Sequence, residues 1–188
     1  MDQNQNNGPQ KKTKMAYIDY LEGLVRGNRR DVLAALRSGL GKTPGEAMDM
    51  HRYMAPWLER CSPWEEQVYY LIGALFAYWH QGESTVVNNL PKNLGASMAL
   101  LSLKKPEAAS GLDRRFTALL KCHRDNLPHH LRQAVAFLKA ESIPVNWEQL
   151  FWDLRRWSQA DGKIQRSWAN SFWGRQPDKK PENQAINQ

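Results

Sequence analysis

Two short segments carry the residues that typically start an α-helix, and apolar residues at helical spacing follow each. Ser62-Pro63-Trp64-Glu65 places a hydroxyl at the N-cap, a proline at the first helical position and a glutamate at the third. The hydroxyl and the carboxylate can then satisfy backbone amides that a helix leaves without partners. Thr43-Pro44-Gly45-Glu46 repeats the pattern. We therefore predict helices that begin near residues 44 and 63.

Apolar residues recur every three or four positions through most of the chain. The clearest stripes lie within 68–79, 112–123, 131–138, 147–157 and 164–172. They match the period of an amphipathic helix, and no stretch alternates convincingly with the period of two that marks a strand. The sequence therefore predicts an all-α fold of about 8–9 helices. Further helix starts are expected at Ser110, Asn126 and Asn146.

These helices are expected to form two packed bundles within one compact chain. The 188 residues are enough to bury a substantial core. We place an N-terminal bundle at 15–92 and a C-terminal bundle with a basic face at 93–175. Residues 1–14 and 176–188 are rich in Asn, Gln, Lys and Pro. Because these segments have almost nothing to bury, we expect them to be disordered tails.

The charge of the chain is unevenly distributed. A net charge of +7 and an isoelectric point near 9.5 favour an anionic partner. Residues 61–91 contain three acidic residues and neither lysine nor arginine, whereas residues 92–139 contain nine basic and three acidic residues. This segregation predicts one basic face rather than an even coating of charge.

The cysteines and the hydropathy pattern indicate the compartment. Cys61 and Cys122 are too few for a disulfide framework, and no apolar leader follows the N-terminus. The most apolar run, 68–79, is too short to span a bilayer. We therefore expect a cytoplasmic protein with reduced thiols and no association with a membrane.

A cysteine and three histidines lie close together within 121–133, at Cys122, His123, His129 and His130. Zinc needs three or four converging ligands, but neighbouring helical residues diverge by about 100°, so each adjacent pair offers one ligand. We predict no metal site, and we expect His123, which lies on an apolar stripe, to be a hydrogen-bonded core residue. No glycine-rich phosphate loop or nucleophile motif occurs either. We therefore predict no catalytic residues, no cofactor and no enzymatic activity.

The basic residues of the same region share helix faces. Arg114 and Lys121 are seven positions apart and lie opposite an apolar stripe, and Arg132 and Lys139 repeat this spacing. Seven helical residues separate two cations by about 10 Å, a distance that suits phosphates on a strand. A solvated face is the ordinary alternative, but several helices contribute cations here. More cations follow in the final helices, at Arg155, Arg156 and Arg166.

The chain contains eight tryptophans, most of them late in the sequence. Trp147, Trp157 and Trp168 stand at core spacing, so we expect them to pack inside the fold. Trp152 lies off that stripe and is a candidate for an exposed contact. Its partner is equally well a nucleic-acid base or a protein.

Several motifs follow one another in the C-terminal half. They are LDRRFTALL (112–120), LPHHLRQ (127–133), IPVNW (143–147), DLRRW (153–157) and IQRSWANSFW (164–173). Together they resemble the small subunit (CasB family) of the Cascade surveillance complex of type I-E CRISPR systems. Upstream, GNRRDVLAALRSGLGKTP resembles the basic N-terminal element of the family, and NLGASMALLS resembles a helix that usually reads LGRAL.

This resemblance implies an all-α, non-enzymatic protein that occurs as a pair within a larger ribonucleoprotein. The implied partners are the backbone and large subunits of Cascade, the CRISPR RNA, and target and non-target DNA. Family members help to hold the R-loop open and contact the displaced strand. Matching residues are implied as phosphate contacts at Arg29, Arg30, Arg37, Arg114, Arg115, Arg132 and Arg166. Helical periodicity alone adds Lys121, Lys139 and Arg156.

One position departs from the family pattern, and one alternative function stays open. Ala96 stands where the family usually has a basic residue, so the basic path is interrupted there or Lys92 substitutes for it. The alternative function is a protein-only adaptor that bridges larger subunits. In that case the acidic, aromatic-rich helix within 61–91 would be its contact surface.

Overall fold

A computed structural model describes residues 9–81, 89–159 and 161–174, with side chains from residue 16 onward. Within these ranges nine α-helices and short 3₁₀ turns occur, and no strand. The helices are α1 (Pro9–Arg26), α2 (Arg30–Ser38), α3 (Met48–Met54), α4 (Pro63–Trp79), α5 (Leu94–Lys104), α6 (Ala109–Lys121), α7 (Leu127–Ala140), α8 (Trp147–Arg155) and α9 (Lys163–Trp173). The predicted all-α class is confirmed. None of the described helices is long and apolar enough to cross a membrane.

The two chain ends differ in what the structure describes. Helix α1 begins at Pro9, within the segment that we predicted as an N-terminal tail. The remaining residues of the predicted tails, 1–8 and 176–188, lie outside the described residues. Cys61 and Cys122 carry thiols rather than a disulfide.

Helix α4 forms the centre of the fold. Every residue from Val68 to Ala77 is buried, and α4 packs against α2, α7 and α8. A helix that is apolar all round belongs in a core. Its predicted start is confirmed, because the Glu65 amide donates to Ser62 Oγ at 3.3 Å and the Ser62 amide donates to Glu65 Oε2 at 3.1 Å.

The other predicted helix starts have mixed outcomes. The Thr43 amide donates to Glu46 Oε2 at 2.9 Å, but the turn that follows is a 3₁₀ turn, and α3 begins only at Met48. Asn146 is the expected N-cap of α8, with its Oδ1 2.9 Å from the Gln149 amide. Asn126 precedes α7 but makes no side-chain cap bond. The start at Ser110 is wrong, because a 3₁₀ turn leads directly into α6 at Ala109.

The two groups of helices share one continuous core. Tyr17 of α1, Tyr69 of α4 and Phe151 of α8 pack ring against ring, with centroids 4.8 to 5.6 Å apart. The Tyr17 hydroxyl donates to the Tyr69 carbonyl at 2.8 Å. Helix α8 thus completes the core of the first half, and the division at residues 92 and 93 stays a prediction.

Helices α5 and α9 approach each other very closely. A Cβ on Gly95 would lie 2.1 Å from the carbonyl oxygen of Trp168. Only glycine permits this approach of helix to backbone. The contact holds α9 against α5 and fixes which face of α9 is buried.

Candidate nucleic-acid interface

The polar face of α9 borders a hollow of about 440 Å³, which we call the α9 hollow. Its lining residues are Lys92, Lys163, Arg166, Ser167, Asn170 and Ser171. Ile164, Trp168 and Phe172 lie four positions apart and are buried on the opposite stripe. Within the described ranges, no carboxylate lines the hollow. Cations, hydroxyls and an amide in this arrangement suit a phosphate group.

Two indole groups anchor α9. Trp168 Nε1 donates to Asp153 Oδ2 at 2.6 Å, and Trp173 Nε1 donates to Asp113 Oδ1 at 2.7 Å. Burial raises the pKa of Asp153, while the hydrogen bonds from Trp168 and Gln149 oppose that rise. These anchors set the rotation of α9 about its axis, so the cations of the hollow are held toward solvent.

Asn93 brings Lys92 to the α9 hollow. Its Oδ1 accepts from the Ala96 amide at 3.0 Å and caps α5, while its Nδ2 lies 3.3 Å from Ser167 Oγ. Ala96 itself is 1% exposed, so its side chain does not reach the surface. Lys92 instead lines the same hollow as Arg166. This arrangement agrees with Lys92 substituting for the missing basic residue.

A second basic surface lies beside a groove of about 640 Å³ between α6 and α7. Arg114 and Arg115 line the groove, and the Arg115 guanidinium lies 5.0 Å from the centroid of the Phe137 ring. Lys121 is exposed on the same face of α6 as Arg114, as the periodicity predicted. Glu141 also lines the groove, where two lysine side chains pair with it. The groove therefore has mixed charge.

Arg132 lies in a cleft of about 260 Å³ between α7 and the turn at 39–44. Lys42 and His129 line the same cleft, together with Asp125. Gly41 has a φ of +83°, and a Cβ there would lie 2.5 Å from Arg132 Nη1. The glycine turn thus leaves room for the guanidinium, and Arg132 from the second half meets the basic element of the first half.

The arginines at the start of α2 already have partners. Arg29 donates to the Asp31 carboxylate from Nε at 3.1 Å and from Nη2 at 2.9 Å. This side-chain hydrogen bond lowers the pKa of Asp31 to about 2. Arg30 Nε donates to Asn28 Oδ1 at 2.9 Å. Arg37, in the last turn of α2, is partly exposed. A phosphate would have to compete with Asp31 for Arg29.

Two other basic side chains have structural roles. The Lys139 ammonium donates to the carbonyls of Tyr78 and Trp79 at the end of α4, the latter at 2.9 Å. A cation is favoured there because the last carbonyls of a helix carry partial negative charge. Arg155 pairs with Glu65, and burial lowers the pKa of Arg155. Both side chains thus have partners within the fold, and their contact with phosphate stays a prediction.

The tryptophans singled out in the sequence occupy both buried and partly exposed positions. Trp147, Trp157 and Trp168 are buried, as core spacing predicted. Trp152 is partly exposed, and the Arg156 guanidinium lies 5.0 Å from its ring centroid. This pair presents a flat cationic surface on α8, and its ligand stays a prediction.

The histidine cluster differs from its expected arrangement. The predicted core position of His123 is wrong, because 70% of its side chain is exposed. Helix α6 ends at Lys121, so the apolar stripe does not extend to His123. His129 Nε2 lies 3.0 Å from Gln133 Nε2. Among the residues that the structure describes, no three His, Cys, Asp or Glu side chains come together as a metal site would require.

Residues 32–173 match the family model of CRISPR-associated protein Cse2. Over 144 residues the chain is 30% identical to CRISPR-associated protein Cse2 of Thermus thermophilus, and the match covers 75% of this chain and 78% of the relative. The chain belongs to the Cse2 family. This Cse2 chain also matches the crystal structure of CasB from Thermus thermophilus, with 26% identity and a TM-score of 0.70. The match covers 86% of this chain and 97% of that protein.

A chain of a CRISPR RNA-guided surveillance complex shares the fold, with a TM-score of 0.71 and 23% identity over 86% of this Cse2 chain and 91% of that chain. The predicted membership of the CasB family of Cascade subunits is confirmed.

Sequence reasoning missed Lys42 and Lys163 as lining residues of the basic cavities. The three-residue spacing from Lys163 to Arg166 could have indicated the second of these.

Proposed function

We propose that this Cse2 chain is a non-enzymatic small subunit of a type I-E Cascade complex in the cytoplasm. It binds the nucleic-acid backbone and stabilises the displaced strand of the R-loop during antiviral defence. The α9 hollow carries this proposal, because three cations, two hydroxyls and an amide converge there with no carboxylate among the described lining residues. Phosphate recognition uses these groups, independently of base sequence.

The proposed mechanism is electrostatic. Cations of the α9 hollow, the exposed row at Arg114 and Lys121, and Arg132 neutralise phosphates and release counterions. Base pairing with the guide RNA supplies the sequence specificity, so the subunit needs only to favour the unwound state. The partners in this proposal are the backbone and large subunits of Cascade, a second copy of the chain, the CRISPR RNA, and target and non-target DNA.

The protein-only adaptor has less support. Its expected contact surface was the helix within 61–91, but α4 buries every residue from Val68 to Ala77. A helix enclosed by α2, α7 and α8 cannot bridge larger subunits along its length. A co-purified complex whose subunit content is unchanged by nuclease would favour the adaptor.

The direct test removes two cations of the α9 hollow from the assembled complex. Lys163→Ala/Arg166→Ala should weaken retention of target DNA without preventing assembly. If each side chain contacts a phosphate of a single strand, the slope of log K against log salt should flatten by about 0.7 per contact, or about 1.4 for both. Filter-binding titrations of the reconstituted complex between about 50 and 200 mM salt measure this slope.

A matched control removes two arginines from the first half of the chain. Arg52→Ala/Arg60→Ala lowers the net charge by the same amount, and both positions are exposed. This variant should keep the wild-type slope. An unchanged slope in the α9 variant, or equal flattening in both variants, would refute binding of the strand by the α9 hollow.

A further inference from the structure

A small cavity of opposite charge lies between α1, the end of α4 and the start of α8. It has a volume of about 170 Å³, and we call it the acidic pocket. The lining residues that matter here are Asp19, Glu22, Trp79, His80, Trp147 and Glu148. Over the described ranges, no lysine or arginine lines it. The pocket therefore repels phosphate and does not belong to the basic surface.

Packed rings and hydrogen bonds make the wall of the acidic pocket rigid. The Trp147 ring lies edge-on to Phe76 and Trp79, with centroids 5.5 and 6.1 Å away. Asn146 at the start of α8 is held as well, because its Nδ2 donates to the Pro91 carbonyl at 3.2 Å. A concave, apolar site that is already formed and carries a few polar groups is typical of ligand binding.

His80 is the polar group that the fold leaves unexplained. It is 6% exposed and lines the pocket, and its Nδ1 has no hydrogen-bond partner among the described residues. Buried polar atoms in proteins are nearly always paired. Burial and, secondarily, the charge of Lys139 lower the pKa of His80 to about 4, so the ring is neutral at pH 7. A neutral imidazole can accept a hydrogen bond and does not repel a cation.

The carboxylates at the rim are mostly available to a ligand. Glu22 pairs with Arg26 at 2.5 Å. Asp19 and Glu148 are exposed and make no hydrogen bond or ion pair with another described side chain. Glu148 lies in the first turn of α8, where the helix dipole already favours an acid. The helix dipole accounts for Glu148 alone. It explains neither the aromatic wall nor the His80 nitrogen, which has no partner among the described residues.

We propose that the acidic pocket binds the cationic end of one arginine or lysine side chain from a partner protein. The rim carboxylates of Asp19 and Glu148 and the acceptor nitrogen of His80, unpaired among the described residues, complement a cationic donor. The tryptophan wall favours a cation near aromatic rings. The small volume suits one side chain rather than a nucleotide. Asp19 and Glu22 precede residue 32, where the family match begins, so the pocket is partly built outside the matched region.

The test uses the full-length chain with ¹⁵N-labelled tryptophan and two probes. N-acetyl-L-argininamide presents a guanidinium, and N-acetyl-L-citrullinamide is its neutral counterpart of nearly the same shape. The arginine probe should shift the indole resonances of Trp79 and Trp147 in a saturable way. Because the attraction is charge-dependent, the citrulline probe should bind at least about tenfold more weakly.

Two variants localise the binding. Asp19→Asn/Glu148→Gln should weaken binding of the arginine probe by about fivefold or more. Asp49→Asn/Glu59→Gln removes the same charges at exposed positions elsewhere and should bind like wild type. The proposal is overturned if the two probes bind equally, or if the pocket variant binds the arginine probe as tightly as the control variant does.

Discussion

The α9 hollow and the acidic pocket are cavities of opposite charge built in different ways. The hollow lies along the polar face of a single helix, to which Lys92 is added from a neighbouring loop. The acidic pocket combines the ends or edges of α1, α4 and α8, which are distant in sequence. The net charge of +7 for the whole chain therefore does not predict the local charge of either cavity. Local charge determines which partner each cavity attracts.

The largest effect is expected from Gly95→Ala, which breaks the packing that supports the α9 hollow. The new Cβ would lie 2.1 Å from the Trp168 carbonyl oxygen, and this backbone atom cannot move aside unless α9 moves as a whole. Overpacking of this kind should lower the free energy of unfolding by about 3 kcal/mol. Urea denaturation followed by tryptophan fluorescence measures the loss.

Gly111→Ala is the matched control, because a Cβ on Gly111 meets nothing within 4 Å. Gly111 lies within α6, where alanine is the better helix former, so stability should be unchanged or rise by up to about 1 kcal/mol. If both variants unfold at the same urea concentration, the hollow does not depend on the close approach of α5 and α9.

The next largest effect is a pH dependence that belongs to the acidic pocket. The folded state lowers the pKa of His80 from 6.5 to about 4, so the native protein binds fewer protons than the unfolded chain between these values. The stability contributed by neutral His80 is complete above pH 6.5 and is lost as the pH falls toward 4. His80→Gln abolishes this titration and should remove about 2 kcal/mol of pH dependence across that range.

Denaturant titrations at several values between about pH 7 and pH 4.5 compare the variant with wild type. His123→Gln makes the same substitution at an exposed histidine and controls for the exchange itself. Parallel stability curves for wild type and His80→Gln would contradict a buried, neutral His80.

Features that depend on neighbours in sequence were predictable, and the start of α4 and the Arg114–Lys121 row are examples. Capping boxes and helical periods act over a few residues, so a single sequence contains them. The apolar stripe within 112–123 led to the wrong prediction of a buried His123, because apolar spacing does not mark where a helix ends. The residue after α6, Cys122, already has an extended backbone.

Contacts between distant residues account for the rest. Lys92 reaches the α9 hollow through the bond between Asn93 and Ser167, which are 74 positions apart. Lys139 binds the carbonyl of Trp79, 60 positions earlier. Helical periodicity places a cation on a face but does not reveal which carbonyl or carboxylate that face meets.

The smallest expected effect is on the retention of target DNA when a cation is released from its carboxylate partner. The α9 hollow has no described carboxylate among its lining residues, whereas Arg29 is held by Asp31. Asp31→Asn keeps the shape of the side chain, removes its charge and releases Arg29 for a phosphate. Because exposed ion pairs are weak, retention of target DNA by the assembled complex should tighten only about twofold at low salt.

Asp49→Asn separates the release of Arg29 from the general loss of a negative charge. Asp49 is exposed in the first turn of α3, and no arginine or lysine among the described residues pairs with it. The same filter-binding titrations should show a gain for Asp31→Asn and none for Asp49→Asn. Equal gains would assign the effect to net charge. No gain in either variant would mean that Arg29 does not contact the strand.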